Sequence, residues 1–209
     1  MQWFIGNNVL RALVLCAAAL SASTASGQAK REFSFAYDQP TTTAYGIAAN
    51  IFDAKLKELS GGTMSINQFP GAQLGQEPQM LQKMRAGDID FVITSTANAS
   101  TVAPQAGVFS LHFIFRDQDH LRKVLADPAI AKEFRDMVHD SVQGAQVLGL
   151  LTMGMRNMYS KKPITSIADI KGEKVRVQAT KTEDTLFPAY GAQTVHMPFG
   201  DVYTSLQTG

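Results

Sequence analysis

A guanidinium in the middle of an alternating apolar segment is where this chain first points to chemistry. In Lys174-Val-Arg-Val-Gln178, Val175 and Val177 share one face and Arg176 takes the other, the period of a half-buried strand. An arginine held on such a stiff segment is placed to grip a carboxylate through two parallel hydrogen bonds. Arg156, in Thr152-Met-Gly-Met-Arg, reads by itself as a structural arginine; as a second contact it would make two guanidiniums, which suit a dicarboxylate, or one carboxylate of a hydroxy or keto acid. The residues of catalysis are missing from any usable spacing. His112, His120, His139 and His196 are scattered without the i, i+4 pairing of a zinc site. There is no Gly-x-Ser-x-Gly elbow, no Gly-x-Gly-x-x-Gly and no phosphate loop. Asp88 and Asp90 are close, but alternation at a strand start explains them, and Met153, Met155 and Met158 read as packing residues. The expectation is a binding protein, not an enzyme, with no cofactor and no metal.

The elements that must carry these side chains follow from periodicity. Phe33–Tyr37 alternates as a strand, and Asp38–Thr43 is a turn rich in capping types. A helix is predicted to about Leu59, with Ala48, Ile51, Phe52, Leu56 and Leu59 on one face. Met64–Phe69 is a strand. Glu77-Pro78 opens a helix closed by Gly87, with Leu81 and Met84 inward and Glu77 facing solvent or capping. Asp90–Thr94 is a buried strand. The order strand–helix–strand–helix–strand predicts a parallel sheet with helices on its faces, and ligands lie beyond the carboxyl ends of such strands. Those ends carry Tyr37, Asp38, Ser95, Thr96 and Asn98, which are therefore candidate pocket residues. Further on, Asp117–Ala126 and Pro128–Ser141 read as helices, and the unbroken apolar run Gln146–Thr152 as a central strand buried on both faces, with Met155–Tyr159 continuing its path. Ser166 through Asp169 is a capped turn. Thr180–Tyr190 is a helix, Gln193–Met197 a short strand, and Pro198 opens a last helix.

Composition sets the outer limits. The chain has 209 residues, 45% hydrophobic and 18% charged, ordinary globular values. Arg11 is the only charged residue before Lys30, so the remainder balances at 18 basic against 18 acidic residues. That balance gives no support to a nucleic-acid or anionic-membrane partner. Residues 1–27 read as a secretory signal peptide: Arg11 at the front, an apolar core from Ala12 to Leu20, then small and polar residues, with cleavage after Ala25, Gly27 or Ala29. The core is too short to span a bilayer, so the exported protein is not itself membrane-spanning. Cys16, the single cysteine, lies in that leader behind the large Leu15 and reads as a hydrophobe, not a lipidation site. An exported chain without it has neither disulfides nor a thiol nucleophile.

Several segments in register resemble the solute-binding proteins of tripartite ATP-independent periplasmic (TRAP) transporters. They are Phe69-Pro-Gly-Ala-Gln-Leu-Gly-Gln-Glu77, Gly87-Asp-Ile-Asp-Phe91, Arg156 in Gly-Met-Arg, and Pro163-Ile with Asp169-Ile-Lys-Gly and Val175-Arg-Val. Gly191-Ala192 and the ending Asp201 to Gly209 complete the set. The resemblance implies an α/β, periplasmic-binding-protein-like fold of two lobes, 30–150 mainly the first and 151–209 the second. It implies that Arg176 anchors a carboxylate, that Arg156 is a second contact, and that Phe199 walls the pocket. Gln178 departs from the family, many members having proline there; it either loosens the strand end or adds an amide to the site. The implied partners are a small organic acid and the small and large permease subunits in the membrane. Gln207-Thr-Gly209 stops inside an element where the family continues, so the second lobe is expected to be incomplete, with about a third of the protein absent and ligand binding weakened. Two other readings stay open: the receptor of an ABC-type importer, which genes for a large permease and a small four-helix membrane subunit nearby would argue against, and a ligand-sensing module, which a neighbouring histidine kinase would favour.

Overall fold

The computed structural model describes residues 29–208; the leader and Cys16 lie outside the described residues. The first unit is built on strands β1 (Arg31–Ala36), β2 (Met64–Phe69) and β3 (Phe91–Val92), all parallel, with β1 in the centre. Helices α1 (Ala44–Leu59) and α2 (Glu77–Ala86) make the two crossovers, as the strand–helix alternation predicts. The core on one face is aromatic: Phe35 and Phe52 lie 5.5 Å apart between ring centroids, Phe52 and Phe91 5.1 Å, and Tyr37 and Tyr45 6.4 Å. On the other face Met80 and Ile89 close over Ala36. Together these rings and side chains hold the ends of β1 and β3 at fixed positions, where the polar residues of the site begin.

A short helix α3 (Thr96–Ala99) follows β3, capped by the Ser95 hydroxyl, which accepts from the Asn98 N–H. A 3₁₀ segment, Pro104–Ser110, leads to α4 (Gln118–Ala126) and α5 (Pro128–Ser141). Each of those helices has an aspartate cap, Asp117 accepting from the His120 N–H and Asp127 from the Ala129 N–H. The second unit pairs β4 (Lys174–Val177) with β5 (Gln193–His196) in parallel, crossed by α6 (Lys181–Ala189) and followed by α7 (Phe199–Thr208). The turn before β4 is the predicted capped one: Asp169 accepts from the backbone and hydroxyl of both Thr165 and Ser166, which holds its carboxyl down at about 2.

Four expectations are corrected. Gln146–Thr152 forms no strand, and Leu148 is 60% exposed; an apolar run supplies burial energy without specifying which edge it hydrogen-bonds to, and its Val147 and Leu150 pack on the cluster of Ala103, Ala106, Phe134 and Val142 instead. Met155–Tyr159 likewise forms no strand. The third strand shrinks to Phe91–Val92, half-buried, because only Phe35 and Ala36 of β1 reach it. The buried stripe of α1 is Tyr45, Ala49, Phe52 and Leu56, while Ile51 and Leu59 are 66% and 74% exposed. The rotation follows from the helix start. Gly46 packs so closely on the preceding loop that an added Cβ would sit 2.1 Å from the Thr41 carbonyl oxygen, which fixes the face turned inward. In α2 the inward set is Met80 together with Leu81 and Met84, one residue more than expected.

Candidate ligand-binding site

The carboxyl ends of β1 and β3 bring together the first group of polar side chains. Asp38 follows β1 and is 7% exposed; Glu77 opens α2 at 3% exposure, and Asn98 lies in α3 at 9%. Glu77 organises the group. Its carboxylate accepts from the Asn98 amide at 2.6 Å, the Ser95 hydroxyl at 2.7 Å, the Ser95 N–H and the Thr94 hydroxyl at 3.1 Å, and the Tyr45 hydroxyl at 3.4 Å. Glu77, expected to face solvent or cap its helix, is thus a buried hub. Its place in the first turn of α2 also suits the positive end of the helix dipole.

Asp38 accepts from the Gln39 amide at 3.2 Å and is close enough to Glu77 to feel its charge. Burial, and secondly the Glu77 charge, push its carboxyl up to about 7. The Tyr45 hydroxyl is pushed up by burial and by the same two acids. The sign for Asp38 is that of a raised acid. The folded protein keeps its proton up to about pH 7 while the unfolded chain releases it near 3.8, so this contribution to stability is full below about pH 4 and declines as pH rises through 7, by at most about 1.4 kcal/mol per pH unit for one proton. Asp38→Asn should flatten that decline. Melting temperatures of both proteins from pH 5 to pH 8 measure it, and parallel curves would contradict it.

The second unit contributes from the end of its own sheet. Arg176, half-buried in β4, donates from Nε at 2.9 Å and from Nη2 to the Met197 carbonyl beyond β5. One edge of its fork is therefore held by the backbone while Nη1 stays uncommitted among the described hydrogen bonds. Burial lowers its pKa, and the charges acting on it are Arg156, Asp38, Glu183 and Glu77, in that order. Arg156 reaches Gln178 Oε1 at 3.1 Å and the Glu183 carboxylate at 3.6 Å. Gln178 then donates from Nε2 to the Ser95 hydroxyl at 2.8 Å. Of the two outcomes expected for Gln178 the structure has the second: β4 stays paired through Val177, and the amide links Arg156 to the first unit.

Arg176, Arg156, Asp38, Ser95 and Asn98 are thereby gathered into one polar patch between the two sheets. Tyr37 is not part of its rim: the ring is fully buried beside Phe35 and Tyr45, and the hydroxyl donates to Gln68 at 2.7 Å. Thr96 sits in the first turn of α3, half-buried, with no side-chain partner among the described hydrogen bonds. Phe199 is 45% exposed at the start of α7. There Gly200 lies under the Gln76 side-chain amide, whose Nε2 would stand 2.7 Å from an added Cβ and would have to swing aside.

Glu183, 2% exposed, was not anticipated. His112 Nε2 lies 3.4 Å from it, and the imidazole stacks on Tyr190 at 5.7 Å, with Nδ1 3.1 Å from the Tyr190 hydroxyl. The Thr180 hydroxyl accepts from the Glu183 N–H, so in sequence this acid is indistinguishable from a helix-start residue. A separate cavity of about 440 Å³, lined by Ser100, Thr101, Pro104, Leu111 and the first turns of α6, receives neither arginine. Among the described residues no cluster of three or more histidine, aspartate or glutamate side chains could hold a metal, and no helix is long and apolar enough to cross a membrane.

Comparison with known proteins places these features. Residues 35–209 match the family described as bacterial extracellular solute-binding protein, family 7. The 2,3-diketo-L-gulonate-binding periplasmic protein YiaO of Escherichia coli is 30% identical over 192 residues, covering 91% of this chain and 58% of that protein. A TRAP periplasmic solute binding protein from Xanthobacter autotrophicus, solved with bound β-D-galacturonate, superposes with a TM-score of 0.79 at 32% identity, over 85% of this chain and 58% of the other. One from Pseudomonas putida, with bound D-glucuronate, gives 0.80 at 30% identity, over 86% and 58%. The chain thus spans about 58% of the length of these relatives. With the two parallel sheets and the polar patch between them, the match over residues 35–209 makes the conclusion plain: this chain belongs to family 7 of the bacterial extracellular solute-binding proteins, a family of receptors rather than enzymes.

Proposed function

We propose that this protein is the exported receptor of a TRAP-type importer, that it holds a small organic acid by its carboxylate between two α/β lobes, and that it presents the acid to the small and large permease subunits. Residues 1–27 are the signal for export, 30–150 make mainly the first lobe and 151–209 belong to the second. The observation that carries the reading is the meeting of Arg176 and Arg156, from the second lobe, with Ser95, Asn98 and Asp38, from the first, across the Gln178 amide. A ligand touching both groups stabilises the arrangement in which the lobes are close, which is how binding is turned into closure. Arg176 takes the acid on its uncommitted Nη1 edge, Arg156 makes a second contact, and Phe199 with Thr96 borders the pocket. The relatives' ligands, 2,3-diketo-L-gulonate, galacturonate and glucuronate, are all carboxylates. A melting-temperature screen of the purified protein against organic acids and matched neutral sugars tests the proposal. Upward shifts with acids alone are expected; shifts with neutral sugars equal to those with acids would refute it.

A further inference from the structure

Gln178 follows the last paired residue of β4, and its backbone is pinned on both sides. β4 pairs through Val177, and the Gln178 carbonyl accepts from the Thr180 N–H at 2.8 Å, just before the Thr180 hydroxyl caps α6. From that fixed point the side-chain amide uses both ends: Oε1 accepts from Arg156 at 3.1 Å and Nε2 donates to Ser95 at 2.8 Å. We infer that Gln178 is a positioning residue, a latch between the two lobes that favours their close arrangement and thereby sets how tightly the site holds any acid. The inference rests on the carboxylate-receptor reading and adds to it a residue that governs closure.

The latch is anchored at both ends. Ser95 is fully used: its one proton goes to Glu77 at 2.7 Å, and its two lone pairs receive the Asn98 N–H at 3.2 Å and the Gln178 amide. Arg156 meets, besides Gln178, the buried Glu183 at 3.6 Å. The path Glu77–Ser95–Gln178–Arg156–Glu183 thus joins a buried acid of the first unit to a buried acid of the second through protein atoms alone. Among the described residues, the other side-chain hydrogen bond that crosses from residues 30–150 to 151–208 is His112 to Tyr190, beyond the far end of α6. The Gln76 amide of the first unit also lies over Gly200 at the start of α7, but its Oε1 is buried without a hydrogen-bond partner. Holding the units together on the side of the site therefore falls to Gln178.

A bridge of this kind acts on the population of the close form, not on one group of one ligand. Where binding requires that form, the apparent dissociation constant is the intrinsic one divided by the fraction of protein in it. Every acid then loses affinity by one common factor when the fraction falls. A hydrogen bond of ordinary strength shifts such an equilibrium about two- to tenfold. A direct ligand contact behaves otherwise, weakening most the acids that use it; the second N–H of Nε2 is the donor through which that would happen.

Gln178→Leu removes both polar ends at similar size, and Gln178→Asn keeps the amide but shortens its reach by one methylene; a folding failure in one leaves the other to decide. Spin labels on cysteines introduced at the exposed Gln82 of α2 and Thr204 of α7, in a Cys16→Ser background, read the separation of the units without added acid. The label distances should shift to longer values in both variants. Calorimetry with D-glucuronate, D-galacturonate and succinate should give affinities lowered by one shared factor of about two to ten, in unchanged order. Label distances equal to wild type overturn the inference, as do affinities equal to wild type. Losses that differ several-fold from acid to acid also overturn it and make Gln178 a ligand contact. Should none of the acids bind the wild-type protein, the carboxylate-receptor reading falls, while the label distances still decide for or against the latch.

Discussion

Glu77→Ala should lower the unfolding free energy by about 3–5 kcal/mol, the range for breaking a buried charged network from one side. The value comes from what the substitution leaves behind. The Asn98 amide, the Ser95 hydroxyl and N–H, and the Thr94 hydroxyl all point at this carboxylate, and buried donors left without an acceptor cost about 1–3 kcal/mol each. The gain from relieving Asp38 of a like charge offsets part of this, which is why the sum is not taken at face value. Asn98→Ala removes one donor and leaves the hub, so its cost should stay near 1 kcal/mol. Denaturant titration of the three proteins measures the ordering. A Glu77→Ala protein within 1 kcal/mol of wild type would mean that water supplies the missing acceptor and that the hub is not structural. Because Ser95 also receives the Gln178 amide, the same variant should loosen the link between the two units, seen as faster hydrogen exchange at β4.

What was legible in the sequence, and what was not, divides along a physical line. Local signals carried through: the alternation at Phe33–Tyr37 and Met64–Phe69 became paired parallel strands, the helices expected at Asp117–Ala126 and Pro128–Ser141 formed, and the Ser166–Asp169 capping pattern became a 3₁₀ turn. Arg176 was singled out because its charge sits opposite Val175 and Val177 in an alternating segment, which the structure pairs as β4. Glu77 and Glu183 were missed for the opposite reason. Each stands at a helix start, where an acid is already explained by the dipole and by capping, so nothing in the local pattern shows that its side chain turns inward to serve other elements. Gln146–Thr152 failed differently, since apolarity reports burial but not hydrogen-bond partner. The error over Ile51 and Leu59 came from the packing of Gly46 against Thr41, a tertiary contact that rotates the helix and has no counterpart in periodicity. Gln178 lies between these cases: as a departure from a resembled pattern it was noticed, but only its position beside Ser95 shows what it does.

Arg176→Lys should weaken binding of an organic acid about 10- to 100-fold, the equivalent of about 1.5–3 kcal/mol for a charge-assisted pair. The structure sharpens the reason beyond charge. Arg176 does two things at once: its Nε and Nη2 hold the Met197 carbonyl at the end of β5, and its far edge is left for a ligand. A lysine ammonium is a single point with three donors and no plane, so it either stays on Met197 or turns to the acid, and in neither case presents two parallel hydrogen bonds. Arg156→Lys should cost less, because that side chain is 64% exposed and its field is screened by water. The two substitutions therefore separate position from charge: both keep the positive charge, and only the one at Arg176 removes a fork pre-set by the backbone. Calorimetry with the tightest-binding acid reads the difference, and denaturant titration of the same variants shows whether the Met197 contact also contributes to stability. Equal small losses at both positions would mean that the arginines act as diffuse charge, and Arg176 would lose its place as the anchor.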